Sequence, residues 1–172
     1  MKRFWPILLV LGSVWCRGQE VQVSPGNGGV VLSVRAQKGY ELIAGETRTP
    51  ILSVQCAQKG KTANLHIVTL TPGGTLAEDN PEGLSRDGRS SVSMTAGGVK
   101  QSTAWIPYGE SARYAYLGKN EPERVKFIRL LSNSAVVSIE FKPFLTGKAT
   151  SSVFDVSGLR EEMDKYPECA MK

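Results

Sequence analysis

The sequence predicts a mainly β protein: a single antiparallel β-sandwich or barrel-like domain with two short helices, the second of them C-terminal. Two observations lead to this fold class. Short apolar runs alternate with polar residues at period two, which is typical of half-buried strands. Turns containing glycine or proline separate these runs often enough for about seven or eight short strands. The chain has 172 residues, which suffices for one domain with a hydrophobic core.

The N-terminus has the pattern of a signal peptide. Lys2 and Arg3 provide a positive start, and the apolar run from Phe4 to Trp15 is too short to span a bilayer. Gly18 is a small residue suited to cleavage, so we expect residues 1–18 to be removed.

Cleavage there makes Gln19 the new N-terminus and gives a periplasmic or secreted protein. Acylation at Cys16 is the alternative, and it would anchor the chain to a membrane as a lipoprotein. Trp15 makes this alternative less favourable, because lipoprotein processing requires a small residue directly before the acylated cysteine.

The positive charge of the chain belongs partly to this leader. Lys2, Arg3 and Arg17 leave with it, so 21 basic residues become 18 against 16 acidic ones, and the net charge falls from +5 to +2. No run of lysines or arginines follows, so nucleic-acid binding has no support in the sequence. The expected partner is another envelope or secreted protein.

The first half of the remaining chain contains three predicted strands. Residues 19–29 are polar and rich in glycine, which predicts a flexible start before a β-rich domain at 30–172. Val30 to Val34 is the first strand, and residues 35–50 are expected to form a loop or irregular edge. Ile51 to Cys56 alternates so that Cys56 faces inward, and Thr62 to Leu70 completes a hairpin with it.

The segment 71–89 contains several prolines and glycines and predicts a long loop. Its oxygen-bearing side chains raise the question of calcium: Asp79, Asn80, Glu82 and Asp87. Their spacing does not fit the regular calcium-loop pattern, so a solvated loop is the preferred interpretation, and we expect no metal or cofactor.

The next predicted elements are a hairpin, a further strand and a helix. Ser90 to Thr95 and Val99 to Ile106 flank a Gly97-Gly98 turn. Ser111 to Leu117 is the further strand, and a helix is expected over 122–132. Asn120 is placed to cap that helix, and Pro122 suits its first turn.

Two strands and a helix end the chain. Ala135 to Lys142 alternates more regularly than any other run, and Val153 to Val156 is the last predicted strand. Ser157 is expected to cap the final helix, whose buried stripe is Leu159, Met163 and Tyr166.

Cysteine usage predicts a disulfide. Without Cys16, only Cys56 and Cys169 remain, and an even number of cysteines in an exported chain favours a bond between them. The bond would close a loop of 113 residues by subtraction, an effect of roughly 4 to 5 kcal/mol on the loop-entropy estimate. Two unpaired thiols are the alternative.

The sequence contains no strong motif for catalysis. His66 is the only histidine, and no nucleophile elbow accompanies it. The carboxylates of the acidic loop 78–87 could act as a pair on a glycoside, but no aromatic platforms flank them. A small secreted hydrolase using His66 or this loop is therefore the alternative to a protein without catalysis.

Aromatic residues concentrate around one turn: Trp105, Tyr108, Tyr114 and Tyr116. Aromatic side chains on paired strands combine contact area with polar tips and can form a binding surface. They can equally be core residues and cross-strand pairs, which is the preferred interpretation.

Two stretches resemble a known family: PILSVQC at Pro50 to Cys56, and the region 124–169 with FIRLL, VVSIEFKPF and SVFDVSGLREEMDKYPEC. They are similar to VasI-like accessory proteins of type VI secretion and, more loosely, to small secreted proteins related to invasion-associated locus B. The resemblance implies an exported β-rich accessory module without known catalysis. It also maps the family's paired cysteines onto Cys56 and Cys169.

Overall fold

The computed structural model describes residues 20–42, 45–59, 63–73, 90–108, 113–143 and 146–171. In these residues the protein is mainly β, as the sequence predicts. The strands are β1 (Gln22–Gly26), β2 (Gly29–Arg35), β3 (Tyr40–Glu41), β4 (Thr47–Arg48), β5 (Ile51–Lys59), β6 (Ala63–Thr71), β7 (Ser90–Ala96), β8 (Val99–Pro107), β9 (Tyr114–Tyr116), β10 (Val136–Phe141) and β11 (Thr150–Asp155). The helices are α1 (Glu121–Ser132) and α2 (Leu159–Met163), followed by a 3-10 turn at Pro167–Cys169.

Nine of the described strands form one antiparallel sheet in the order β1-β2-β5-β6-β9-β8-β7-β10-β11. The remaining two, β3 and β4, pair with each other. The sheet curls into a sandwich-like fold, because β8 belongs to both of its halves: it pairs with β7 along most of its length and with β9 only through Ile106 and Pro107. At the far end, the Gln37 amide donates a 2.8 Å hydrogen bond to the Val153 carbonyl of β11.

Alternation places one face of most of the long strands in the core. Leu32 lies opposite Val54, Val54 opposite Val68, and Val68 opposite Tyr116, so the inward face is continuous across four strands. All four of these side chains are buried. Period-two side-chain direction therefore explains both the predicted strands and the inward position of Cys56.

The N-terminal segment differs from the prediction. Residues 22–26, which we expected within a flexible start at 19–29, form β1 and pair with β2. Gly26 lies opposite Gly29, and Gly28 between them has a φ of +75°. An Asn-Gly pair in a two-residue turn is a strong hairpin signal, and this turn outweighs the polar composition that suggested flexibility.

The predicted first helix is confirmed as α1. The Asn120 Oδ1 accepts a 3.0 Å hydrogen bond from the Glu123 amide, which is the expected cap. Phe127, Ile128 and Leu131 are buried on the inward face of the helix. Predicted and observed bounds differ by one residue at the N-terminal end.

The predicted cap of the last helix is wrong. The N-cap position of α2 is Gly158, which has no capping side chain, and the Ser157 hydroxyl instead donates to Asp155 Oδ1 at 2.7 Å. Leu159 and Met163 are buried as predicted, whereas Tyr166 lies beyond the helix and is only half-buried. The Ser157 hydroxyl bonds the Asp155 carboxylate instead of the helix, because short polar side chains readily form hydrogen bonds with residues two positions away.

The disulfide between Cys56 and Cys169 is confirmed, with 5.0 Å between the two Cα atoms. Both cysteines are buried. The Asn64 side-chain amide of β6 adds hydrogen bonds of 3.1 Å to the carbonyls of Pro167 and Ala170. The C-terminal turn is therefore fixed to β5 by a covalent bond and to β6 by polar contacts.

Several predictions fall outside the described residues. These are the signal peptide at 1–18 with its Gly18–Gln19 cleavage site, Cys16, and the acidic loop 78–87. In the portions that the structure describes, neither helix has the length and apolarity needed to cross a membrane.

Candidate functional site

Three of the four aromatic residues considered for a binding surface lie in the core, which was the preferred interpretation. Trp105 is fully buried, and Tyr114 and Tyr116 are 3% and 8% exposed. Tyr108 alone is partly exposed, with its hydroxyl 3.4 Å from Gln55 Oε1. These rings therefore do not form a shared exposed surface, because alternation along β8 and β9 turns them inward.

Two of these rings build an internal cluster with Phe127 of α1. The ring centroids of Tyr116 and Phe127 lie 4.2 Å apart. The Trp105 centroid lies 6.0 Å from that of Tyr116 and 6.2 Å from that of Phe127. The Trp105 indole nitrogen donates to Thr103 Oγ1 at 2.7 Å, which satisfies its polar group. Aromatic contacts at these separations stabilise beyond simple burial, so the cluster fixes α1 against the sheet.

A groove of about 860 Å³ opens over this aromatic cluster. One wall is β8 from Gln101 to Ile106, and the opposite wall is α1 with the turn that precedes it. Tyr116 and Phe127 lie at its floor. We call this feature the β8 groove.

The β8 groove exists because β9 is short. β9 ends at Tyr116, one residue after its pairing with β8 at Ile106. On the other strand, β8 has seven residues before Ile106, because it begins at Val99. Gly118, with a φ of +62°, turns the chain away from β8 towards α1. Arg124 holds this turn, because its Nη1 donates to the Leu117 carbonyl at 2.8 Å.

The α1 wall of the groove carries mixed charge with a small positive excess. Lys119, Lys126 and Glu123 line it, and the Glu123 carboxylate accepts a hydrogen bond from the Lys119 amide. Lys126 is exposed and has no ion pair among the described residues. The groove can therefore attract an acidic group at Lys126.

Tyr116 contributes a phenol to the floor of the groove. Burial raises the pKa of Tyr116 above its ordinary value, and the Glu123 carboxylate raises it further, while Arg124 opposes them. The phenol consequently stays protonated at neutral pH and can donate a hydrogen bond.

His66, the residue proposed for hydrolysis, lies away from this groove. It is 4% exposed and pairs across the strands with Cys56, next to the disulfide. Burial lowers the pKa of His66; an interaction with the Cys169 backbone and the charge of Glu121 partly offset this, and Arg124 adds to it. Neither ring nitrogen makes a hydrogen bond of good geometry within the described residues.

Metal ligands do not cluster in the described ranges. No group of three or more His, Cys, Asp or Glu side chains there is placed to hold an ion. The calcium candidates Asp79, Asn80, Glu82 and Asp87 fall in the undescribed stretch between β6 and β7.

Sequence reasoning did not identify the groove. The signal available was the glycine at position 118 directly after a tyrosine-rich strand, since a turn there leaves the longer preceding strand without a neighbour. No protein-family model, no curated protein and no solved structure matches this chain.

Proposed function

We propose that this protein is an exported, non-catalytic binding module of the bacterial cell envelope, acting as an accessory to another envelope or secreted protein. The β8 groove is the observation that carries this proposal. It joins a strand edge, an aromatic floor at Tyr116 and Phe127, and the exposed Lys126, which has no ion pair within the described part of the chain. Concave grooves of this size are typical of binding sites.

The disulfide supports the exported location. Bonds such as Cys56–Cys169 persist in oxidising compartments and are rare in the cytosol. The signal-peptide pattern of residues 1–18 points to the same route. The finer proposal, from the resemblance to VasI-like proteins, is that the partner belongs to a type VI secretion apparatus.

The position of His66 favours binding over hydrolysis. A general base must come within hydrogen-bond distance of the proton it removes, and His66 is buried beside the disulfide. Turnover of ester, glycoside or peptide substrates by the wild type, lost in His66→Ala, would overturn the proposal.

Site-specific photo-crosslinking in the producing cell tests the binding function. A benzophenone amino acid replaces Lys126 in the groove, and the matched control carries it at Lys142, which is also exposed but does not line the groove. We expect a discrete adduct from position 126 alone. Equal labelling from both positions, or no adduct from position 126, would contradict a partner in the groove.

Intact mass of the exported protein tests the location. A chain beginning at Gln19 with one disulfide supports cleavage and export. A lipid-modified Cys16 would instead make the protein a membrane-anchored component. Recovery only from the cytoplasm, with residues 1–18 still attached, contradicts both forms of export.

A further inference from the structure

We propose that the β8 groove binds an extended peptide segment of a partner protein, which adds to β8 as an antiparallel strand and carries an acidic residue near Lys126. This inference rests on the proposed binding function and names its recognition mode. Strand addition uses backbone hydrogen bonds for affinity and alternate side chains for specificity.

The geometry of the β7–β8 hairpin shows which backbone groups face the groove. Gly97 and Gly98, both with positive φ, form a two-residue turn between Ala96 and Val99. The pair that flanks such a turn is hydrogen-bonded, and bonded and non-bonded pairs then alternate along the ladder. The residues of β8 that bond to β7 are therefore Val99, Gln101, Thr103 and Trp105.

The intervening residues Lys100, Ser102 and Ala104 direct their amides and carbonyls to the opposite edge, beside the groove. The β9 side confirms this parity, because the Tyr108 amide donates to the Arg113 carbonyl at 2.9 Å and Ile106 pairs with Ala115. β7 lies opposite these residues on one side of β8, but on the other side the described part of β9 pairs only with Ile106 and Pro107. Lys100, Ser102 and Ala104 are all exposed.

These three residues recur about every 6.8 Å along β8. An added strand presents its own hydrogen-bonding groups at the same interval along its length. A peptide of about five to seven residues has the matching donors and acceptors at the same interval. No compact small molecule presents such a series, so the edge itself specifies an extended polypeptide.

The two outer edges of the sheet are protected, in contrast to β8. In β1, Pro25 lies next to the flanking pair Gly26–Gly29, so its nitrogen, which has no hydrogen, faces the open edge. In β11, the Val153 carbonyl already accepts from the Gln37 amide. Between Val99 and Ile106, β8 has no proline, and its edge carbonyls accept no backbone hydrogen bond from a neighbouring loop in the described chain.

The walls of the groove favour a peptide over a second copy of this chain. Helix α1 lines the groove opposite the β8 edge, so the ligand must enter between two walls, which favours a single chain segment over a folded domain. Two copies would also bring Lys119 and Lys126 of each chain together, which is unfavourable. A single acidic strand is complementary to the same charges.

The register predicts the side-chain preferences of the peptide. Residues opposite Gln101 and Thr103 share the inward face and lie over Tyr116 and Phe127, where apolar or aromatic side chains gain contact area. Residues opposite Ser102 point outward and are free to be polar.

A displayed library of random eight-residue peptides is the probe for this inference, selected on the purified, oxidised protein. Binding of the selected peptides is then compared between Ser102→Pro, which removes one edge amide, and Ser102→Ala, which keeps it. We expect binding at least tenfold weaker for Ser102→Pro and within threefold of wild type for Ser102→Ala. Melting temperatures of both variants verify the fold.

Amide hydrogen exchange gives a second measurement that needs no variant. On peptide binding, exchange should slow at Lys100, Ser102 and Ala104, whereas the amides of Gln101 and Thr103 already bond to β7 and should change little. Two versions of a selected peptide can be N-methylated at alternate residues, one at the odd and one at the even positions. Only the version whose methyl groups face β8 should lose binding. This arm decides the matter even if Ser102→Pro does not fold.

The outcomes separate this inference from the proposed function. Selected peptides that bind both Ser102 variants equally, yet protect Tyr116 or Phe127, would leave a binding module whose ligand is not an added strand. A selection that enriches no peptide, or a stable dimer with slow exchange at Ser102 before peptide is added, overturns the inference directly.

Discussion

Gly29 shows at the level of one residue how closely two strands approach. A Cβ at this position would overlap the carbonyl oxygen of Cys56, far inside any permitted contact. Glycine is therefore required where β2 meets β5, next to the disulfide. The sequence alone could not reveal this, because the constraint comes from a residue 27 positions away, by subtraction, on another strand.

Gly29→Ala should destabilise the protein by at least about 2 kcal/mol, since one backbone must move to admit the methyl group. Urea unfolding of the oxidised protein measures this change. The matched control is Gly158→Ala, whose Cβ would meet Val21 Cγ2 at an ordinary 3.6 Å and should change stability by less than about 0.5 kcal/mol. Equal stabilities of the two variants would contradict the close approach.

His66 should make stability depend on pH. Because burial lowers the pKa of His66 in the folded state, the unfolded chain takes up the proton first on acidification. The free energy of unfolding should be constant above about pH 7.5 and fall below the unfolded pKa of about 6.5, at no more than about 1.4 kcal/mol per pH unit.

Urea titrations between pH 8 and pH 5 provide the measurement, with His66→Leu as the comparison. This variant removes the titrating ring and its two buried nitrogens, which make no hydrogen bond of good geometry within the described residues, so its profile should be flatter in that window. Glu121 and Arg124 also act on His66 and are retained in the variant. Parallel profiles for both proteins would show that another group titrates.

At the level of elements, local signals predicted helices and strands better than they predicted their ends. Asn120 and Pro122 marked α1 correctly because capping depends on neighbours in sequence. Ser157 failed as a cap because Asp155, also a neighbour, bonds its hydroxyl instead. β3 and β4 were missed inside the segment 35–50, since two-residue strands carry no periodicity.

Asn120→Ala should cost about 1 kcal/mol of stability, because the Glu123 amide loses the oxygen that it bonds at 3.0 Å. Asn120→Asp is the control that keeps an acceptor and adds a charge favourable to the helix N-terminus, so it should be close to neutral. Thermal unfolding followed by circular dichroism compares the three proteins. An alanine variant as stable as the aspartate variant would argue against a contribution from the cap.

The β8 groove was not predictable from its strand alone. The alternation of β8 was evident in the sequence, but an open edge depends on where β9 stops, and β9 is only three residues long. The predicted strand there, Ser111 to Leu117, would have paired with more of β8. It would have reached only one residue further into the groove, opposite Ala104, so the turn at Gly118 rather than the predicted strand length keeps β9 from Lys100 and Ser102.

For the whole molecule, the bond between Cys56 and Cys169 joins the C-terminal turn to the sheet across a separation of 113 residues. Its inward strand phase could be predicted from the alternation of Leu52, Val54 and Cys56. The overall sandwich-like class was predictable as well, because core alternation repeats in nearly every strand. The strand order was not, since it depends on pairings far apart in sequence.

Cys169→Ser should lower the free energy of unfolding by about 2 to 5 kcal/mol, because the unfolded chain regains the freedom that the bridge removes. The double variant with Cys56→Ser should be similar, which separates loss of the bond from exposure of a thiol. Unfolding in urea measures all three proteins. A single variant as stable as the wild type would exclude a stabilising bridge.

Reduction should also change where a protease cuts first. Once the bond is broken, the region after Ser157 is held by the buried Leu159 and Met163 of the short helix α2, by the Asn64 contacts and by the Arg129 hydrogen bond to the Met171 carbonyl. Limited digestion with mass analysis should therefore show early cleavage after Ser157 in reduced protein alone. Early cuts within β10 instead would place the weakest region elsewhere.

The long separation between the two bonded cysteines sets an order of events during biosynthesis. At a synthesis rate of about 5–20 residues per second, Cys169 is made roughly 6 to 23 s after Cys56, from the 113 residues between them. During that interval β1, β2, β5 and β6 can already pair in sequence as hairpins, while the Cys56 thiol awaits its partner. The nascent protein is therefore open to oxidation by another chain until its last strand and turn have arrived.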